Sequence, residues 1–109
     1  MTGVKDICVK SGTAILEVMK IIENSSQKIA LIINEQKALI GTVTDGDIRR
    51  GLIKNIQISQ SVDLIMNTNP TTLPVGSSAA QIKKAMAAKK ISQLPILNPD
   101  RTVSDLVLV

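Results

Sequence analysis

A short polar turn carries the side chains that are best suited to chemistry in this sequence. Residues 41–47 read Gly-Thr-Val-Thr-Asp-Gly-Asp and lead directly into an apolar, helix-forming segment. Thr44 offers a hydroxyl donor, and Asp47 offers a pair of acceptors that suits a ribose diol. Gly46, between them, lets a ligand approach the backbone. These residue types at this spacing predict a site for an anionic ligand such as a phosphate.

A strand and a helix must position this turn. Residues 39–43 are apolar and β-branched, whereas Ile48, Leu52 and Ile53 recur at helical spacing, so the period changes near Asp45. The pattern predicts a helix over residues 45–54 with Thr44 or Asp45 as its N-cap. The first amides of such a helix have no partner within it and lie at the positive end of its dipole, which favours an anion.

Two interpretations of Thr44 and Asp47 remain open at this point. A Thr-x-x-Asp pair at a helix start is also a common capping arrangement that needs no ligand. Arg49 and Arg50, in the first turns of the same helix, could reach a polyphosphate, although exposed arginines are more often simply solvated.

Composition excludes several other classes of function. The sequence of 109 residues contains no His, Phe, Trp or Tyr and a single Cys. Zinc sites of the usual kind, Ser-His-Asp triads and Cys-His dyads are therefore excluded. Without aromatic rings there is no stacking platform for nucleic acid, and the net charge of +4 is mild, so nucleic-acid binding is not expected. Lysines 83, 84, 89 and 90 are interpreted as a solvated helix face.

Other features of the sequence indicate the cellular compartment in which the protein is expected. Cys8 lies in an apolar run and is interpreted as a small buried residue. One unpaired Cys fits a reducing compartment, so a cytoplasmic protein is expected. Neither a signal peptide nor an apolar run long enough to span a bilayer is recognised, and no membrane association is predicted.

An internal repeat organises the chain. A shift of 64 residues places Gly12 on Gly76 and residues 32–34 (Ile-Ile-Asn) on residues 96–98 (Ile-Leu-Asn) without a gap. We therefore predict a duplicated unit, with one copy in residues 1–58 and the other in residues 59–109. A unit of this size exposes one apolar sheet face, so the two copies should pack sheet to sheet. Residues 1–6, which are polar, are expected to be loose, and Thr13 is expected to cap the first long helix.

The duplicated unit together with the turn at residues 41–47 resembles a tandem pair of cystathionine-β-synthase (CBS) domains, a Bateman module. Family members follow the pattern Gly-x-hydrophobic-Thr-x-x-Asp, which Gly41, Val43, Thr44 and Asp47 match. The resemblance implies an α/β (α+β) fold of two β-α-β-β-α repeats with pseudo-twofold symmetry. It also implies a regulatory module that binds an adenosine-containing ligand, such as AMP, ADP, ATP or S-adenosylmethionine, and needs no cofactor. The residues expected to contact that ligand are Gly41, Thr42, Thr44, Asp45, Gly46, Asp47 and Arg49.

The second copy departs from the family pattern. The 64-residue shift places Asp105 at the position of Gly41 and Leu108 at that of Thr44, and the sequence stops before any counterpart of Asp47. At most one intact nucleotide site is therefore expected. The last helix of the second repeat is expected to be missing, which suggests a fragment of a longer protein. The sequence of residues 104–108 is similar to the corresponding sequence in CBS pairs that precede sugar-phosphate nucleotidyltransferase domains. This resemblance implies attachment to such an enzyme.

Two other functions compete with ligand sensing. CBS pairs commonly meet as a flat disc, so a homodimer is implied, and the chain could serve as a dimerisation module without a ligand. An enzyme is the least favoured alternative. Asp45 and Asp47 could face a cation, but side chains at i and i+2 of a helix start diverge, and no base, nucleophile or third ligand accompanies them.

Overall fold

Two small sheets and three α-helices make up the protein. The structure is a computed structural model that describes residues 4–109. The strands are β1 (Cys8–Lys10), β2 (Ala30–Ile33), β3 (Leu39–Val43), β4 (Leu73–Pro74), β5 (Gln93–Leu97) and β6 (Val103–Leu108). The helices are α1 (Ile15–Glu23), α2 (Asp45–Ile53) and α3 (Ala79–Lys89), and two 3₁₀ turns span Val4–Ile7 and Val62–Leu64. The predicted α+β class is confirmed.

The two sheets have the same topology. In the first, β1 pairs parallel with β2 and β2 pairs antiparallel with β3; in the second, β4, β5 and β6 repeat this arrangement. We call β1 to α2 the first repeat and β4 to β6 the second repeat. A register shift falls between Ile32 and Ile33 in one sheet and between Ile96 and Leu97 in the other, again 64 residues apart. The predicted duplication is thus present in the hydrogen-bond register as well as in the sequence.

Backbone conformations repeat at the same interval. Gly12 and Gly76 follow the first strand of each repeat with φ of 88° and 94°, a left-handed conformation that glycine adopts without a steric penalty. In the same turns, the hydroxyl of Thr13 donates to the carbonyl of Lys10 and that of Ser77 donates to the carbonyl of Pro74, both at 2.7 Å. The two turns therefore have the same structure although their sequences differ.

The sheets pack against each other around aliphatic side chains. Leu31 and Leu39 of the first sheet and Leu97 of the second belong to one buried cluster, which Val103 and Leu106 flank. Each fully buried Leu contributes about 1.5–3 kcal/mol relative to an exposed one. The backbone N–H of Leu39 also donates to the carbonyl of Arg101 at 2.9 Å. The predicted packing of sheet to sheet is confirmed.

The helices cover the two repeats unequally. In the first repeat, α1 buries Ile15, Val18 and Ile22 in a cluster that also includes Ile48 of α2. In the second repeat, α3 contributes Met86 to a smaller cluster. The chain ends directly after β6, where the first repeat continues into α2, and an apolar groove of about 590 Å³ lies there between α3 and the end of β6.

Some local predictions are wrong. Thr13 does not cap α1: its hydroxyl turns back to Lys10, and the N-cap is Ala14, which makes no side-chain cap hydrogen bond. Residues 4–6, which were expected to be loose, belong to the 3₁₀ turn Val4–Ile7, because Ile7 is buried in the cluster between the sheets. Residues 1–3 lie outside the described residues.

The segment before the second repeat completes the core of the first. Val62 is fully buried in the cluster that contains α1 and α2, although it precedes β4 in the chain. Its backbone N–H donates to the carbonyl of Thr13 at 2.8 Å. Asp63 accepts hydrogen bonds from Ser11 and Gly12, in the turn after β1. The two repeats are therefore interlocked along the sequence as well as packed face to face.

Substituting Val62 tests this interlocking. We expect Val62→Ala to lower the free energy of unfolding by about 1–3 kcal/mol, because it leaves a cavity in the first repeat's core. Val75→Ala is the matched control, since Val75 is 51% exposed and should change stability by less than about 0.5 kcal/mol. Urea denaturation measures both; equal small effects would contradict the role of Val62.

Candidate functional site

A cavity of about 520 Å³ lies at the start of α2, between the two repeats. One wall comes from the first repeat and includes the turn that leads from β3 into α2. The facing wall comes from the second repeat, from the end of α3 and the start of β5. The lining residues are Lys28, Ile29, Thr42, Thr44, Asp45, Gly46, Asp47, Arg50, Asn67, Asn69, Pro70, Thr71, Lys90, Ile91, Ser92, Gln93 and Pro95.

The start of α2 forms the polar end of the cavity. Thr44 is the N-cap and has an extended backbone (φ −121°, ψ 175°), which ends β3 and begins the helix. Oδ2 of Asp47 accepts a hydrogen bond from the backbone N–H of Thr44 at 2.9 Å and another from its hydroxyl at 3.2 Å. Asp47 therefore holds the helix start in place, as the capping interpretation predicts, and it also lines the cavity.

Arg50 closes the other side of the Asp47 carboxylate. Its Nη2 donates to Oδ1 of Asp47 at 2.8 Å. The Asp47 side chain is 14% exposed, whereas that of Arg50 is 60% exposed. The carboxylate is thus a largely buried, fixed charge, while its cationic partner is held mainly by this one ion pair at the surface.

Strand backbone and aliphatic side chains form the deeper part of the cavity. Thr42 is buried, and its backbone pairs with Asn67 through two hydrogen bonds of 3.0 and 2.8 Å. This pairing brings the segment between α2 and β4, which we call the linker, against β3. Residues 69–71 of the linker therefore reach the cavity wall. Ile29 and Pro95, both buried, face the cavity from opposite repeats.

Two lysines, one from each repeat, add positive charge to the cavity, and a hydrogen bond beside them links the repeats. Lys28 and Lys90 both line the cavity, and both have left-handed backbones, with φ of 57° and 53°. The side-chain amide of Gln93 donates to the carbonyl of Gln27 at 3.0 Å, which connects β5 to the segment before β2. The cavity therefore presents three cationic side chains and two carboxylates.

The structure brings together most of the site residues that the sequence predicts. Thr42, Thr44, Asp45, Gly46 and Asp47 line the cavity. Gly41 and Arg49 do not line it. A Cβ at Gly41 would lie 2.6 Å from Sδ of Met66, so this glycine is required for packing of the linker on β3. Arg49 is exposed on α2, and its neighbour Arg50 occupies the cavity instead.

Several other residues that line the cavity were not predicted. Lys28, Lys90 and Gln93 carry no motif, and they reach the cavity only because the repeats pack with pseudo-twofold symmetry. The 64-residue shift contains a usable signal: it relates Lys28 to Ser92 and Ile29 to Gln93, and all four line the cavity. Residues on both sides of a pseudo-twofold axis could thus have been paired from the repeat.

The second copy has an aliphatic side chain where the first has Thr44. Leu108 occupies the position of Thr44 and lines the apolar groove rather than a polar cavity. The start of α3 is capped by neutral groups: the backbone N–H of Gln81 donates to Oγ of Ser78, and Oε1 of Gln81 accepts from the backbone N–H of Ser78.

Over residues 4–109, no group of three or more His, Cys, Asp or Glu side chains is arranged to hold a metal ion. Cys8 is half-buried outside the cavity, and burial raises the pKa of its thiol, which keeps it protonated at neutral pH. Among the described residues, none of the helices has both the length and the apolar character that crossing a bilayer requires.

The sequence matches known proteins over nearly its whole length. The model of the CBS domain family matches twice, over residues 4–54 and 61–107. Arabinose 5-phosphate isomerase GutQ of Salmonella typhi is 27% identical over 86 residues, which cover 79% of this chain and 27% of the relative. Arabinose 5-phosphate isomerase KdsD of Pseudomonas aeruginosa is 28% identical over 90 residues, covering 82% and 28%. The chain thus spans only about a quarter of the length of these relatives.

Solved structures share the fold. The CBS domain pair of protein MJ0100, in complex with 5′-methylthioadenosine and S-adenosyl-L-methionine, superposes with a TM-score of 0.81 and 26% identity, covering 99% of this chain and 90% of that one. The cytosolic domain of the Mg²⁺ channel MgtE, in complex with ATP, has a TM-score of 0.80 at 17% identity, covering 94% and 42%. At that lower identity the likeness concerns the fold.

Two glycine substitutions test how the turn is built. We expect Gly41→Ala to destabilise the protein by about 1–3 kcal/mol, because the added methyl meets Met66 and lies 3.2 Å from the carbonyl oxygen of Asn67. Gly46→Ala is the control: its methyl would meet only the guanidinium of Arg50, which can move, and alanine is the better helix former. Thermal denaturation compares them; a Gly41→Ala variant as stable as Gly46→Ala would contradict this packing role.

Proposed function

Because this chain belongs to the CBS domain family, as a tandem pair, we propose that it is a regulatory module that binds an adenosine-containing nucleotide in the cavity at Thr44 and Asp47. The main support is the position of the cavity, which joins a polar helix start in one repeat to a wall from the other. Its volume of about 520 Å³ falls within the roughly 300–1,000 Å³ that is usual for small-molecule sites.

The lining residues suit the three parts of a nucleotide. We expect Asp47 to accept hydrogen bonds from the ribose diol, and the start of α2 at Thr44 to hold a phosphate through the first amides of the helix. Ile29 and Pro95 offer an aliphatic slot for the base, since the sequence has no aromatic ring that could stack on it. AMP, ADP, ATP and S-adenosylmethionine are the candidates, and protein MJ0100 binds two ligands of this adenosine class.

Regulation follows from the ligand's contacts with both repeats. A ligand shifts a conformational equilibrium only if it binds one arrangement better than another. A nucleotide between α2 and β5 would favour one packing of the repeats, and an attached enzyme would respond to that packing. We propose that the attached enzyme acts on sugar phosphates. The relatives favour an isomerase; the nucleotidyltransferase implied by the sequence stays a prediction that these relatives do not support.

A second candidate function is a dimerisation module that needs no ligand. Exposed apolar side chains on α2 and in the segment after it favour this function, because Leu52, Ile53 and Leu64 are 45%, 72% and 56% exposed. We propose that the chain is a homodimer in either case, in the cytoplasm and without catalytic activity of its own. A dimer whose sedimentation is unchanged by nucleotides would support the second function over the first.

Calorimetric titration of an Asp47 variant tests the nucleotide site. We expect micromolar binding of at least one of AMP, ADP, ATP and S-adenosylmethionine, and we expect Asp47→Ala to weaken it at least about tenfold through loss of the ribose contacts. Asp47→Ala also removes a helix cap. The matched control is therefore Gln81→Ala, which removes a cap contact from α3 outside the cavity and should leave affinity unchanged. Equal losses in both variants would assign the effect to folding instead.

Ultraviolet absorbance gives an independent measurement. The sequence contains no Phe, Trp or Tyr, so the untagged protein has almost no absorbance of its own in the region where a purine absorbs. We expect equilibrium dialysis against AMP to leave excess purine absorbance on the protein side and Asp47→Ala to remove that excess. No excess with any of the four ligands at well above micromolar concentration would overturn the proposal.

A further inference from the structure

We propose that Arg50 makes the cavity select phosphorylated nucleotides over uncharged nucleosides, by exchanging its partner Asp47 for the phosphate of the ligand. This inference rests on the proposed nucleotide site and adds a residue that determines specificity there. The family motif ends at Asp47 and does not include Arg50.

The polar groups assigned to the ligand already have partners in this structure. Oδ2 of Asp47 accepts from the backbone N–H and the hydroxyl of Thr44, and Oδ1 accepts from Nη2 of Arg50. A carboxylate has about four acceptor sites, and three are taken here, so a ribose diol that donates both of its hydroxyls to Asp47 must displace one of these donors. Displacing Thr44 would loosen the cap of α2, whereas Arg50, whose side chain is 60% exposed, can turn to solvent while the hydroxyls of the diol replace it at the largely buried carboxylate. Arg50 is the partner that gives way.

The guanidinium of Arg50 lies where a phosphate would bind. A Cβ built on Gly46 would be 3.1 Å from Nη1 and 3.4 Å from Nη2 of Arg50, so the guanidinium covers the backbone of the first turn of α2. That turn carries the free amides that attract an anion. A guanidinium released from Asp47 there can form a paired, charge-assisted contact with a phosphate without a large movement.

Asp47 and Arg50 exchange partners together, and this coupling favours nucleotides over uncharged nucleosides. A nucleotide supplies hydroxyls to Asp47 and a phosphate to Arg50, so both charges keep partners. An uncharged nucleoside takes Oδ1 of Asp47 but returns nothing to the guanidinium. Lys28 of the first repeat and Lys90 of the second add to the same preference, since three cationic side chains and two carboxylates line the cavity.

A comparison of AMP with adenosine by calorimetric titration tests this inference. We expect the unsubstituted protein to bind AMP about ten- to a hundredfold more tightly than adenosine, which is the size of a charge-assisted hydrogen-bonded contact. Arg50→Gln should lose most of that ratio, because AMP binds more weakly while adenosine binds as well or better. Arg50→Lys, which keeps the charge without the planar fork, should restore part of it.

Arg49→Gln is the matched control. It makes the same change of charge on the same helix, one residue away, at a side chain that does not line the cavity. We expect it to keep the AMP-to-adenosine ratio of the unsubstituted protein. An unchanged ratio in Arg50→Gln, or an equal loss in Arg49→Gln, overturns the role of Arg50 while leaving the nucleotide site intact. If the unsubstituted protein binds neither compound nor any of the other adenosine ligands, the proposed function itself fails.

Discussion

The burial of one apolar sheet face against its duplicate is the constraint on which this structure depends. Each sheet has three short strands, and a sheet of this size is not stable in water while its hydrophobic face is exposed. Leu31 and Leu39 on one side and Leu97 on the other cover those faces. With no aromatic residue available, the interior is filled by Ile, Leu, Val, Ala and Met. The stability of the fold, and with it the cavity, therefore depends on the packing of the two repeats against each other.

That packing creates a cavity with two unlike walls. Pseudo-twofold symmetry places the start of α2 opposite β5, so a polar helix end faces strand backbone and aliphatic side chains. The same symmetry operation on the other side of the axis brings Leu108 to the position of Thr44. Duplication therefore supplied the geometry twice, but divergence of the second copy replaced the hydroxyl by an aliphatic side chain on one side of the axis.

The sequence predicts the elements and the helix start well, because both follow from local patterns. The period change near Asp45, the 64-residue repeat and the Thr44-to-Asp47 spacing each depend on residues close in sequence or on self-similarity. The exchange of Arg49 for Arg50 could not be predicted in this way, since both are arginines at the start of one helix. The choice depends on a single rotation of about 100° about the helix axis.

The sequence failed to predict the other residues that line the cavity and the N-cap of α1 for a different reason. Lys28 and Gln93 gain their positions only from contacts between repeats, which single-sequence patterns do not describe. Thr13 is a suitable capping residue by type, but the turn at Gly12 with its left-handed backbone directs the hydroxyl back to Lys10. Tertiary structure decided these cases, and local propensity did not.

The burial of Val62 in the first repeat has a consequence for synthesis of the protein. The first repeat ends with α2 at Ile53, yet its core and the outer edge of β3 are completed only by Val62 and Asn67. A ribosome adds about 5–20 residues per second, so roughly one to three seconds pass between the emergence of Ile53 and that of Asn67 from the exit tunnel. During that interval the nascent first repeat exposes the apolar surface that Val62 later covers.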